Sequence, residues 1–331
     1  MSRLQHSPNY YRIWKAVYFI IIITSMLGIY HAAQKADYIW RWYRVPQYFW
    51  TKEKIDIRAE ISGTVASIES SGDKTRIVTV TGDDGSETYT VPTAGLKVAK
   101  GDFIFSGDVL GDYRVSRPGI LLQGLWMTIK VSIIGIIFGI LIGLVSGLAR
   151  ISDNPCFKWL AITYIELIRG SPLLVQIFLW YFVFGTLINK MLTLRGLPEI
   201  PGLWFGVASL AIFAGAYVAE IVRAGIQSIH RGQMEAAKSL GMTPFQSMRH
   251  IVLPQAFRRI LPPLAGQFIS LIKDSSLLGI IAIRELTKAT REVVTTSLQP
   301  YELWFVCALL YLAITFSLSA LTQYMERKLV Q

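Results

Sequence analysis

Near the end of a long apolar run the chain reads ISLIKDSSL, residues 269–277, and its two charges, Lys273 and Asp274, are the groups best suited to act on a small solute. A charge near the middle of a bilayer span costs about 2.5–3.5 kcal/mol on insertion scales, so both must face protein or water rather than lipid. Ser275 and Ser276 add hydroxyls that can hydrogen-bond a zwitterion. Two readings stand open: an internal ion pair with another helix, or a place on a solute path. Successive helical residues point about 100° apart, so the two charges need not share a face. Glu220 and Arg223, three apart at a helix end, read as a structural pair. Arg169 and Gly170 before Pro172 read as a helix break with a snorkelling cation. Covalent and metal chemistry find little support. The polar loop 223–255 holds no nucleophile beside a base, no GxxxxGK(S/T) phosphate loop occurs, and the four histidines have no ligand spacing to one another or to cysteine. No catalytic residue, cofactor or metal is expected.

The elements that must position these residues are apolar. Of 331 residues 52% are hydrophobic, and the mean hydropathy of +0.43 exceeds what a water-soluble domain of this length needs for its core. Six stretches reach the roughly 20 apolar residues of a span: 14–31, 121–148, 172–189, 203–222, 260–283 and 303–324. The first follows Arg3, Arg12 and Lys15 and ends near His31, Ala32 and Ala33, so residues 1–33 read as an anchor or as a cleavable signal. The formal charge is +11, and its distribution orients the chain. With the N-terminus inside, cytoplasmic segments collect Arg150, Lys158, Arg223, Arg231, Lys238, Arg249, Arg258 and Arg259. Short outer loops hold Lys190, Arg195, Arg284, Lys288 and Arg291 among Glu199, Glu285, Glu292 and Glu302. Both termini are therefore expected in the cytoplasm of a multi-pass protein. No basic surface stands apart from the spans, which argues against nucleic-acid binding. Cys156 and Cys307 fall near opposite faces of the bilayer and are expected unpaired.

Gly135, Gly139, Gly143 and Gly147 recur every four residues in the second span, a stripe that lets another helix approach closely in lipid. Between the first two spans the pattern changes. Residues 34–53 are rich in Trp and Tyr (Trp40, Trp42, Tyr43, Tyr48, Trp50) and suit the headgroup layer. Beyond them TRIVTV and ETYTV alternate at period two around a GDDGS turn, which predicts a small β-barrel or sandwich over 54–115 on the outer face. Its closing segment is similar to the barrel-sandwich folds of lipoyl-type domains. No lysine stands at a suitable hairpin tip, so a spacer or docking module is expected rather than a carrier.

The stretch EAAKSLGMTPFQSMRHIVLP, residues 235–254, is polar and basic inside this apolar chain. Gly241 reads as the residue ending one helix, while Thr243, Pro244 and Gln246 begin the next as a capping box. The outcome is a helix, a sharp turn and a helix returning to the bilayer near Pro254. Ala236 and Ala237 are small enough to sit in a partner's groove, with Glu235 as one anchor, and Ala237→Asp is expected to leave the fold intact. Glu235, Ala236, Ala237, Gly241, Ile251, Leu253 and Pro254 match, without a gap, the cytoplasmic signature of permease subunits of ABC importers. YIELIRGSPLLVQ (164–176), AYVAEIVRAGIQSIHRGQMEAA (216–237) and ISLIKDSSL resemble the polar amino acid branch of that family.

The resemblance covers about 120–331. It implies an all-α polytopic protein with a five-span ABC importer type I permease core at 116–331, preceded by a sixth span and the inserted β-domain. It also implies partners: a cytoplasmic ABC ATPase dimer engaged through 235–241, a second permease, identical or paralogous, and an extracytoplasmic solute-binding protein delivering a polar amino acid. A permease for another solute, a gated channel and a scaffold presenting the β-domain are the rival readings.

Overall fold

The structure, a computed structural model, describes residues 8–35, 38–72, 74–83 and 85–329. The chain divides into two compact units, residues 1–45 and 46–331.

The first unit is built on helix α1 (Pro8–Lys35). Its apolar window buries no residue, and Ile20, Ile21 and Ile23 all lie open. At 28 residues it is about 42 Å long, enough to cross the roughly 30 Å hydrocarbon layer. After it Trp40 and Trp42 stack with ring centres 5.8 Å apart.

The second unit opens with six strands: β1 (Trp50–Arg58), β2 (Gly63–Ser70), β3 (Thr75–Gly82), β4 (Gly85–Pro92), β5 (Phe103–Ile104) and β6 (Val109–Pro118). They make two sheets. β1 and β6 pair antiparallel from Trp50 opposite Pro118 to Arg58 opposite Val109, and the other four run in the order β4-β3-β2-β5. The strands thus begin at Trp50 and end at Pro118, outside the 54–115 read from the alternation, because the residues beyond those bounds, Trp50–Glu53 and Ser116–Pro118, are exposed and carry no inward apolar face. Ala59, Val65, Val78, Val80, Val91, Ile104 and Leu110 form a core of their own. Lys97 and Lys54 stand 3.1 and 3.4 Å from Asp112 of β6, and Lys97 foremost holds that carboxyl below the usual range.

The remaining elements are helical: α2 (Ile120–Arg150), α3 (Pro155–Arg169), α4 (Leu173–Phe178), a π-helical stretch (Leu179–Gly185), α5 (Thr186–Thr193), α6 (Gly202–Gln227), α7 (Arg231–Ser239), α8 (Pro244–Ser247), a second π-helical turn (Met248–Val252), α9 (Leu253–Asp274), a 3-10 segment (Ser275–Ile281), α10 (Leu286–Ser297) and α11 (Pro300–Leu329). Six stretches among the described residues are long and apolar enough to cross a membrane: 9–32, 120–150, 173–193, 202–227, 244–281 and 300–324. Helices α3 and α10 are too short and too amphipathic to read as spans, and of the two only the end of α3, the break at Arg169 and Gly170, was marked in the sequence. The two cysteines are free.

Helices α2 and α6 make the central pair. A Cβ at Gly139 would lie 2.9 Å from that of Ala214, at Gly143 2.5 Å from that of Val218, and at Gly147 2.8 Å from the Ala219 carbonyl; at Gly135 it would touch Leu210 and Leu271 at 3.4 Å. In lipid no hydrophobic drive holds helices together, so this close approach is itself the attraction. Gly143→Ala is expected to cost about 1–3 kcal/mol through overpacking and to lower the amount of folded protein recovered from membranes. Gly135→Ala, with room at ordinary contact distance, serves as the comparison. Equal recovery of the two variants contradicts this packing account.

Candidate functional site

The loop between α6 and α9 is shaped by its own sequence. His230 caps α7, its Nδ1 accepting the Gly232 N–H at 3.1 Å. At the other end Gly241 takes φ +76°, a left-handed conformation that glycine enters without steric cost. The Gly241 N–H then reaches the Lys238 carbonyl at 2.9 Å and the Met242 N–H the Ala237 carbonyl at 3.1 Å, a Schellman closure. Two residues on, the capping box forms: Thr243 N–H donates to Gln246 Oε1 at 2.9 Å, and Gln246 N–H to Thr243 Oγ1 at 3.3 Å. Pro244 sits at the start of α8, where a missing N–H costs nothing, while Pro254 directly follows the π-helical turn inside the continuous helical run 244–281. Gln255 Nε2 donates to Gln233 Oε1 at 3.1 Å and Arg259 Nη1 to the Ser228 carbonyl at 2.6 Å, tying α9 back to α7 and to the end of α6.

The two alanines separate. Ala236 and Glu235 are exposed, but Ala237 is 3% exposed, turned inward on α7. The expectation that both alanines face a partner, and that Ala237→Asp spares the fold, is corrected: one position along a helix is a rotation of about 100°, enough to carry Ala237 to the inner face. Ile251 is half-buried, Leu253 and Pro254 exposed. What does face outward at the turn is apolar: Leu240 is 83% and Phe245 71% exposed, on either side of Gly241 and Thr243. Sequence reading passed over both, although an apolar residue flanking a tight polar turn was the available signal.

In the fifth span the α-helix stops at Asp274 and tightens into the 3-10 segment. Lys273 is exposed, Asp274 and Ser276 half-buried, and Ser275 buried with its Oγ donating to the Ile272 carbonyl at 2.8 Å. Among the described residues Lys273 and Asp274 form no ion pair within 4.0 Å with another helix, so the first of the two readings finds no partner here. The structure adds Lys130, which sequence reading missed. It stands ten residues into α2, roughly 15 Å from the helix start, exposed and without an ion pair among the described residues.

At the opposite end of α6 the pair Glu220–Arg223 belongs to a larger cluster. Glu220 lies 2.9 Å from Arg223, 2.6 Å from Arg150 and 3.9 Å from Arg169, joining the ends of α2, α3 and α6. Arg169 also stacks over Tyr217 at 5.3 Å. The break after it is closed by Gln176, whose Nε2 donates to the Ile168 carbonyl at 2.7 Å. At the end where α2 begins, Glu285 caps α10. Its carboxylate accepts the Thr287 and Lys288 N–H groups at 2.7 Å each and the Tyr311 hydroxyl at 3.0 Å. Burial pushes the Glu285 carboxyl up, against the downward pull of these donors.

Six spans, the central ones packed through glycines, with a stiff polar hairpin between two of them, define a multi-pass membrane protein. The chain belongs to the family described as binding-protein-dependent transport system inner membrane component, whose pattern matches residues 135–331. Among its relatives the glutamine transport system permease protein GlnP of Escherichia coli (strain K12) is 36% identical over 220 residues, 66% of this chain and 97% of that protein. The L-cystine transport system permease protein TcyB of Bacillus subtilis (strain 168) is 37% identical over 211 residues, 63% of this chain and 86% of that one. A solved structure described as an amino acid ABC transporter with histidines is 38% identical, with a TM-score of 0.56, covering 63% of this chain and 94% of its own. The family match begins within α2, so the first span and the β-domain lie outside it.

Proposed function

We propose that the chain is the permease subunit of an ATP-driven importer that passes a polar amino acid, received from a solute-binding protein, across the inner membrane. The observation carrying this reading is the capped hairpin 231–254 with Leu240 and Phe245 bare at its tip, in a chain 36–38% identical to a glutamine permease and an amino acid transporter. In this reading α7 and the turn after it seat in a cytoplasmic ATPase dimer, with Glu235, Ala236 and Gly241 on the seating face and Ala237, Ile251, Leu253 and Pro254 shaping the hairpin. A second permease, identical or paralogous, closes the path. Lys273, Asp274 and Ser276, joined by Lys130, face that path, where a cation and an anion complement the carboxylate and ammonium of an amino acid. ATPase closure draws two hairpins together and turns the cavity outward; hydrolysis returns it inward. The ATP chemistry belongs to the partner.

The orientation follows from the same reading: both termini and the hairpin in the cytoplasm, the β-domain outside. After replacement of Cys156 and Cys307, a cysteine at Ser70 is expected to react with an impermeant thiol reagent added outside, and one at Ser239 only after the membrane is opened. Reaction at position 70 solely from the cytoplasmic side contradicts the topology. The solute is identified by competition in uptake assays across a panel of polar amino acids. Competition only by sugars or peptides removes the amino acid assignment and leaves the importer.

A further inference from the structure

The β-domain carries an aromatic tip that its own fold does not use. Along β5 and the residue after it, Ile104 points into the small core while Phe103 and Phe105 on either side point out, each 63% exposed, their rings edge to face at 5.3 Å. The tip is held unusually firmly for an exposed turn. Asp102 Oδ2 accepts the Ala99 N–H at 2.8 Å, and Asp108 Oδ2 the Phe105 N–H at 2.9 Å. Ser106 donates its N–H to Ser62 Oγ at 2.9 Å and its Oγ to the Glu60 carbonyl at 2.8 Å, while Arg58 Nη1 clamps the Gly107 carbonyl at 2.9 Å. Two rings fixed in this way lose little freedom on contact, the condition under which aromatic anchors contribute most to binding.

The position of the tip selects the occupant. The β1–β6 ribbon has its foot at Trp50 and Pro118, immediately before α2, with the Gly119 N–H donating to the Phe49 carbonyl at 2.6 Å and Gln123 Nε2 to the Pro118 carbonyl at 2.8 Å. The tip lies beside Arg58 and Val109 at the other end of the ribbon, roughly 25 Å from the foot at about 3.3 Å per residue, an arm long enough to carry the rings clear of the headgroup layer. The foot shares its end of the bundle with α10: a Cβ at Gly124 would lie 2.7 Å from that of Ala289, and the Leu286 N–H reaches Thr128 Oγ1 at 3.0 Å. In the topology proposed above this end of the bundle faces outward, so the arm is rooted on the side from which a soluble binding protein delivers solute.

We infer that Phe103 and Phe105 form a docking point for the solute-binding protein of this importer, an inference that rests on the function proposed above. The test uses the full complex in proteoliposomes, with the importer's purified binding protein defined by its stimulation of ATP hydrolysis. A photoreactive phenylalanine analogue at position 103 or 105 is expected to give an adduct with the binding protein; adducts with the second permease or with lipid alone, or none in a complex that responds to binding protein, overturn the inference. Phe103→Ser with Phe105→Ser is expected to raise at least tenfold the binding-protein concentration giving half-maximal ATPase stimulation, with hydrolysis in its absence unchanged. An unchanged half-maximal concentration overturns the docking point and leaves the importer standing. A wild-type complex that no binding protein stimulates removes the importer reading itself.

Discussion

Leu240→Asp is expected to leave the protein in the membrane at wild-type abundance while lowering its affinity for the cytoplasmic ATPase about a hundredfold. The side chain is exposed at the end of α7 and contributes little to the fold, and substitutions at such positions usually fall within about 0.5 kcal/mol. At an interface the same change forfeits about 1.5–3 kcal/mol of apolar burial and places a carboxylate where water is excluded, and every 1.4 kcal/mol is about tenfold in affinity. Phe245→Asp is expected to behave alike. Ala237→Asp is expected to differ: Ala237 is buried in the hairpin, so a carboxylate there damages α7 as well as its partner contact and lowers abundance too. Co-purification with the ATPase in mild detergent, beside immunoblotted abundance, checks all three. Wild-type ATPase retention by Leu240→Asp and Phe245→Asp makes the hairpin a solvated loop.

Lys273→Gln and Asp274→Asn are each expected to reduce uptake at least tenfold at normal abundance. Breaking a buried ion pair costs about 3–5 kcal/mol and would deplete the folded protein, but neither group has such a partner in another helix among the described residues. Lys273 is exposed and Asp274 half-buried; in the proposed membrane arrangement a second chain or a hydrated path is the environment that a charge within a span requires. Ser275→Ala is the built-in contrast, since its hydroxyl is already spent on the Ile272 carbonyl and its loss is expected to leave uptake near wild type. Poor accumulation of the two charge variants with normal flux per molecule assigns the charges to folding.

What was legible in the sequence was whatever local chemistry determines. Thr243, Pro244 and Gln246 specify a capping box within four residues, and Gly241 a helix end, whatever packs around them. The strands at TRIVTV and ETYTV announced themselves because their alternation buries one face, with Val78, Val80 and Val91 in the core. The foot of the β1–β6 ribbon, Trp50–Glu53 and Ser116–Pro118, is exposed on both faces and has no such alternation to read. Which of Ala236 and Ala237 faces inward depends on how α7 lies against residues 244–252, a tertiary fact that two identical residues cannot encode. Lys130 escaped for a different reason: one cation barely lowers the mean hydropathy of a 31-residue apolar helix, so the span was found and its exception was not. The passage from α-helix to 3-10 after Asp274 likewise leaves no mark, as Ser275, Ser276 and Leu277 suit either form.

The central claim is that ATP hydrolysed by a partner drives solute through this chain by way of the 231–254 hairpin. Proteoliposomes holding the permease and its ATPase, with ATP inside and the binding protein with radiolabelled polar amino acid outside, test it directly. The account predicts accumulation that requires ATP, ATPase and binding protein together, and that falls to background with Leu240→Asp in the permease. Accumulation that persists without ATP or without the ATPase, as through a channel, contradicts it.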